Sequence, residues 1–252
     1  MGIDLSGRVA VVTGGGKGVG RLFAEELVAA GAKVALVGRT AATLAATAGD
    51  LQHGGATVTT AVADVTDRIA SRAAIAAINE QFGPIDLLVN NAGVAGLGRI
   101  TEIDLDTWWH AFEINLKATM AWCQDVVPQM IERGGGRIIN VTSSAANWTV
   151  PGGSAYIASK AGVSAFTRVL DAELRPKGVL TFAIAPRLRS DMTDEIQTSP
   201  AIPEAFRAAA SKTTQEELDG RRERTAALIR RIIAGELDEH AGQHLETESP
   251  PA

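Results

Sequence analysis

VAVVTGGGKGVG, residues 9 to 20, sets a short β-branched apolar run directly against a cluster of glycines. The run Val9 to Val12 has the composition of a strand buried on both faces. The glycines then permit a tight turn, and a helical period resumes over Val19 to Ala30. The same strand-then-helix alternation continues outward. Further strands are expected at Val34 to Val37, Thr57 to Val62, Leu87 to Val89, Arg137 to Val141 and Leu180 to Ile184. Helices are expected over Ala41 to Gln52, Asp67 to Phe82, Asp106 to Glu132, Ser154 to Arg175 and Gln215 to Ala234. Right-handed crossovers make this an α/β chain whose parallel sheet is doubly wound, with helices on both faces.

In such a Rossmann-type sheet, ligands lie at the carboxyl ends of the strands, where the glycine turn falls. Glycines let the backbone approach a pyrophosphate closely, and the helix N-terminus offers free N–H groups and a positive dipole end. The strict G-x-G-x-x-G spacing is absent, because Val19 stands where the third glycine would be; what remains is T-G-x-x-x-G-x-G. A glycine turn alone also serves structure. The second strand, however, ends in Gly38-Arg39-Thr40, where an acidic residue would bind the ribose hydroxyls of NAD and an arginine would accept a 2′-phosphate. With Lys17 inside the turn as well, NADP(H) is expected over NAD(H).

Composition bounds the rest. At 252 residues, 46% hydrophobic and 21% charged, the chain is read as one domain, 1–252. A net charge of −5 argues against a nucleic-acid partner, and no apolar run reaches the length of a membrane span. The basic cluster RRERTAALIRR, residues 221 to 231, reads as a solvated helix face. With Cys123 the sole cysteine, no internal disulfide is possible; no metal site is expected, and a cytoplasmic location is.

Several motifs in fixed order carry a resemblance: TGGGKGVG at 13 to 20, Asp64-Val65, NNAG at 90 to 93, Asn115, Ser143 and Tyr156-x-x-x-Lys160. Together they resemble a classical short-chain dehydrogenase/reductase from about Leu5 to Ile184, with a weaker echo near Gly242 to Leu245. The resemblance implies that Gly14, Lys17, Gly18, Val19, Arg39 and Thr40 hold the phosphate side of the cofactor. It implies that Asp64 and Val65 border the adenine and that Asn91, Ala92 and Gly93 border the ribose, with Asn90 bracing the turn. Ser143, rather than its neighbour Ser144, is selected by its place thirteen residues before Tyr156.

Tyr156 and Lys160 are i and i+4 on a helix, so their side chains share a face. An adjacent ammonium would lower the tyrosine pKa toward neutrality, as general acid–base work requires. The implied reaction is hydride transfer between nicotinamide and a ketone or secondary alcohol. Ser143 and Tyr156 would bind the carbonyl, Tyr156 would supply the proton, Lys160 would hold the ribose, and Asn115 would anchor a water relay through a local helix distortion. Alternatives are reduction of an imine or activated double bond, or a cofactor-binding regulatory protein without turnover.

The match fails after the sixth strand. There APRLRSDM, residues 185 to 192, keeps Pro186 but has Arg187 for the usual glycine, and Ser190 stands in for a threonine that would hold the nicotinamide amide. Residues 187 to 212 are expected to form a lid over the substrate mouth, with Trp148, Met192, Ile196 and Phe206 as candidate pocket residues. The tail from about 247 is expected to be disordered, and a short edge strand is expected to open HLETESPPA. Ala155, Ala158, Ala161, Gly162 and Ala165 suit close helix approach, in a homodimer or homotetramer or within the chain.

Overall fold

A computed structural model describes residues 4–147, 149–188, 191–211 and 213–247. Its strands are β1 (Val9–Thr13), β2 (Lys33–Gly38), β3 (Val58–Val62), β4 (Leu87–Asn90), β5 (Gly136–Val141), β6 (Val179–Ala185) and β7 (His244–Glu246). They form one parallel sheet in the order β3-β2-β1-β4-β5-β6-β7. The order reverses between β1 and β4, and that switch opens a crevice at their carboxyl ends.

The helices are α1 (Gly18–Ala29), α2 (Ala41–Gln52), α3 (Arg68–Phe82), α4 (Leu105–Phe112), α5 (Ala118–Glu132), α6 (Ser154–Leu174), α7 (Asp191–Thr198), α8 (Glu204–Ser211) and α9 (Gln215–Ile233). The period-two alternation of each strand feeds two cores. Ala10, Val12, Leu36, Ile139 and Ile184 face Leu22, Phe23 and Leu27 of α1 and Ile229 and Ile232 of α9. Val9, Val11, Val37, Leu88 and Ile138 face Ile75 and Ile78 of α3, Trp122 and Val126 of α5, and Leu170 of α6. Burial on both faces is why these strands read as continuous apolar runs.

Side chains fix several helix starts. The Asp67 carboxylate accepts the N–H groups of Ile69 (2.9 Å) and Ala70 (3.0 Å), capping α3. Thr214 and Glu217 form a reciprocal capping box at the start of α9.

Two sequence expectations change here. The single helix from Asp106 to Glu132 is divided: α4 runs into a π turn at Glu113–Lys117, after which α5 follows. Insertions of this kind occur mostly at functional sites. Residues 187 to 212, expected as a lid with no helix placed in it, include the two short helices α7 and α8, with Pro200 and Pro203 falling between them. Thr247 is buried, and the remaining tail residues lie outside the described ones.

Candidate active site

The turn after β1 is locked to the turn after β4. Thr13 Oγ1 accepts the N–H groups of Asn91 (2.9 Å) and Ala92 (3.2 Å), while Asn91 Nδ2 donates to the carbonyls of Thr13 (2.9 Å) and Gly14 (3.1 Å). Gly14 takes a positive φ of 63°, and a Cβ there would lie 2.8 Å from Asn91 Nδ2. Asn91 therefore does the bracing that the sequence reading gave to Asn90. Asn90 is instead buried deeper, where its Nδ2 donates to Asn140 Oδ1 at 2.9 Å and to Cys123 Sγ at 3.3 Å.

From this turn a cavity of about 870 Å³ runs along the sheet edge. Gly14, Lys17, Gly18, Val19, Arg39 and Thr40 line one end, and Asp64 and Val65 line it beyond β3. Asn91, Ala92 and Gly93 line its middle, and Ser143, Tyr156, Lys160 and Pro186 line it beyond β5 and β6. The first turn of α1 carries no acidic residue that would offset its positive dipole end. A glycine cradle, an unopposed helix N-terminus and a cavity of this length fit a nicotinamide dinucleotide.

At the reaction end, Ser143 follows β5, and its Oγ accepts the Ala145 N–H at 3.1 Å. Burial pushes the Tyr156 phenol above its ordinary value, while hydrogen bonding with Ser143 pulls it down by less. Lys160 is 3% exposed and donates from Nζ to the Val141 carbonyl at 2.7 Å. Burial lowers its pKa from 10.5 to about 8. The expectation that Lys160 brings the tyrosine pKa down is thus corrected: desolvation is the largest influence on both groups, and one of the ammonium's donors goes to a backbone carbonyl.

Asn115 sits within the π turn and does not line the cavity. Its Oδ1 accepts the Val94 N–H at 2.9 Å, and its Nδ2 donates to the Val94 carbonyl (3.0 Å) and Ser159 Oγ (2.9 Å). Its own carbonyl accepts the Thr119 hydroxyl at 2.9 Å. Asn115 thus holds the Gly93-Val94 wall against α6 from behind.

Asp64 Oδ1 accepts the Thr66 N–H (2.9 Å) and hydroxyl (2.7 Å), and Oδ2 faces Arg39 Nη1 at 3.9 Å. Desolvation raises the carboxyl, but Thr66 and Arg39 together outweigh it, so its pKa is lowered.

Known proteins are similar to this chain in sequence and fold. The short chain dehydrogenase family profile covers residues 8–201. The chain belongs to that family. Its relatives include a short chain dehydrogenase of Pseudocercospora fijiensis, 38% identical over 73% of this chain and 60% of that one. Another is the NAD(+)-dependent 2-dehydro-3-deoxy-L-rhamnonate dehydrogenase of a Sphingomonas species, 38% identical over 77% of each chain. A gluconate 5-dehydrogenase from Burkholderia cenocepacia, solved with NADP and tartrate, superposes with a TM-score of 0.86 at 28% identity, over 97% of this chain and 95% of that one. The chain is therefore an oxidoreductase of a family that uses nicotinamide cofactors on small molecules.

Within this short chain dehydrogenase, Met192, Ile196 and Phe206 line the cavity, so α7 and α8 form one of its walls. Ser190 and Trp148 lie outside the described residues. Arg187 lines the cavity without a positive φ, so the turn after β6 needs no glycine. The sequence reading missed Leu218 and Arg221 of α9, which also line the cavity; Arg221 had been assigned to a solvated face. It also passed over Gly20, where a Cβ would lie 2.2 Å from the Gly14 carbonyl oxygen. The last glycine of T-G-x-x-x-G-x-G was the available signal. Among the described residues, no group of three or more His, Cys, Asp or Glu is gathered that could hold a metal ion, and no helix is long and apolar enough to cross a membrane.

The depressed Lys160 pKa has a thermodynamic consequence. Below about pH 8 the folded and unfolded chains both carry the ammonium, and folding bears its full burial cost. Above that value the folded lysine loses its proton first, and the cost shrinks until the unfolded lysine titrates as well. Lys160→Met should therefore be more favourable relative to wild type at neutral pH than near pH 10. Urea unfolding at both values checks this; a difference independent of pH would contradict it.

Proposed function

We propose that the protein is an NADPH-dependent carbonyl reductase, reversible as an alcohol dehydrogenase. The observation that supports this most is that Ser143, Tyr156 and Lys160 line the cavity that begins at the glycine turn. When bound, the nicotinamide supplies the hydride. Gly14, Gly18 and Val19 would hold its phosphates, Asp64 and Val65 would flank the adenine, and Asn91 to Gly93 would border the ribose.

The side chains divide the remaining work. Ser143 and Tyr156 donate hydrogen bonds to the substrate oxygen, which gains negative charge as the carbon is reduced. Tyr156, kept protonated by burial, then transfers its phenolic proton to that oxygen. An alkoxide is far more basic than a phenolate, so transfer runs downhill even from a tyrosine whose pKa is raised. Lys160, one helical turn further along α6, would hold the ribose. The apolar side chains of Met192, Ile196 and Phe206 exclude water from the substrate.

Preference for NADP(H) rests on Arg39 and Lys17. Arg39 is exposed, and its 3.9 Å contact with Asp64 leaves its donors open to a 2′-phosphate. A hydrogen bond to a charged group contributes about 1.5–3 kcal/mol. Arg39→Ala should accordingly lower kcat/KM for NADPH by roughly tenfold to a hundredfold and leave NADH little changed. Equal losses with both cofactors would refute the assignment.

The exposed apolar side chains of Trp109, Met120 and Val169 support assembly into a homodimer or homotetramer. The small residues of α6 serve the chain itself at one point, since a Cβ on Gly162 would lie 2.9 Å from Leu116 Cδ2. NADPH consumption with a panel of ketones, aldehydes, cyclic imines and activated alkenes tests the reaction class. Turnover of ketones or aldehydes supports carbonyl reduction, and turnover confined to imines or alkenes would overturn it.

A further inference from the structure

Arg221 stands on a helix stripe that otherwise points inward. Leu218, Arg221, Thr225, Leu228 and Ile232 share one face of α9; Thr225, Leu228 and Ile232 are buried, and the stripe ends with Leu218 and Arg221 in the cavity wall. The neighbouring arginines are committed elsewhere. Arg222 binds the Glu25 carboxylate, and Arg230 binds Glu26 at 3.1 Å and Glu223 at 2.5 Å. Those contacts fasten α9 to α1, the helix that begins at the glycine turn.

Arg221 itself is half-buried, and among the described residues its guanidinium has no hydrogen bond or ion pair. Its carbonyl accepts the Thr225 hydroxyl at 2.8 Å. The carboxylates lining the cavity are no answer to it. Asp64 is held by Thr66 and faces Arg39, and Glu195 is exposed on α7 with no ion pair to Arg221. Partial burial of a guanidinium without a partner costs free energy that an incoming anion would offset, and its planar fork of donors matches carboxylate and phosphate oxygens.

We infer that Arg221 is an anion-binding residue of this cavity, engaging an oxyanion group on the molecule bound there. The inference rests on the cavity being a nucleotide and substrate site. Two sources carry that chemistry: the phosphates of the dinucleotide and a carboxylate on the substrate.

Binding titrations separate them without requiring turnover. Arg221→Met and Arg221→Lys are compared with wild type for NADP+ affinity, and then, saturated with NADP+, for binding of tartrate and of its uncharged diamide. Loss of NADP+ affinity by roughly tenfold or more in Arg221→Met, partly restored in Arg221→Lys, places the anion on the dinucleotide. Unchanged NADP+ affinity, with tartrate but not the diamide weakened by that factor, places it on the substrate. Unchanged NADP+ affinity without any charge-dependent loss of tartrate binding overturns the inference. Wild-type protein that binds these ligands but reduces no carbonyl would count against the proposed reaction and leave Arg221 in place.

Discussion

Gly20→Ala should sharply weaken nucleotide binding and destabilise the fold. A Cβ at this position would lie 2.2 Å from the Gly14 carbonyl oxygen, 2.8 Å from the Gly14 carbonyl carbon and 2.6 Å from Asn91 Nδ2. Two of those atoms are backbone, so no side-chain rotation relieves the clash; the turn itself has to move. Moving it also disrupts the bonds from Asn91 Nδ2 to the Thr13 and Gly14 carbonyls, which join the β1 and β4 turns. Overpacking of this kind costs about 1–3 kcal/mol, and the displaced N–H groups no longer converge on a phosphate. NADPH affinity should fall by roughly a hundredfold or more, with a lower Tm. Gly49→Ala is the control: it lies within α2, with nothing within 4 Å of a Cβ, and should stabilise by about 0.5–1 kcal/mol. Normal NADPH affinity in Gly20→Ala would show that the turn is not the phosphate cradle.

Tyr156→Phe should lower kcat by roughly 10²- to 10⁴-fold and leave NADPH affinity close to wild type. The ring and its packing survive, so the loss isolates the hydroxyl. That hydroxyl is the proposed proton source, in the cavity lined also by Ser143, which follows β5. Because burial raises its pKa, the phenol stays protonated through neutral pH, and reduction should not decline there as pH rises. Near-normal turnover in the phenylalanine variant would move the proton source elsewhere.

The strands were legible because the sheet is parallel and covered on both sides. Val9 to Val12 and Val34 to Val37 could be read as strands since every side chain there is buried, whichever face it points to. The place of Ser143 at the sheet edge followed from the rule that ligands gather at strand ends, while its pairing with Tyr156 came from the family resemblance. Bracing roles were less legible. Asn90 and Asn91 are adjacent and chemically identical, and only the three-dimensional path of β4 turns the first into the core and the second toward Thr13. The pKa relation between Lys160 and Tyr156 failed for a related reason: spacing shows that two groups share a face, but not that a backbone carbonyl takes the ammonium. Arg221 was hidden by its neighbours. In a cluster of arginines at helical period, charge alone does not reveal which one lies on the buried stripe.

Transfer of a labelled hydride tests the carbonyl-reductase reading most directly. NADPH with both hydrogens of nicotinamide C4 replaced by deuterium is incubated with the protein and a ketone from the panel, and the product is analysed by mass spectrometry. Carbonyl reduction requires an alcohol carrying deuterium on its carbinol carbon, formed by wild type and largely lost in Tyr156→Phe. Bound NADPH recovered unchanged after incubation with every carbonyl tested would contradict it.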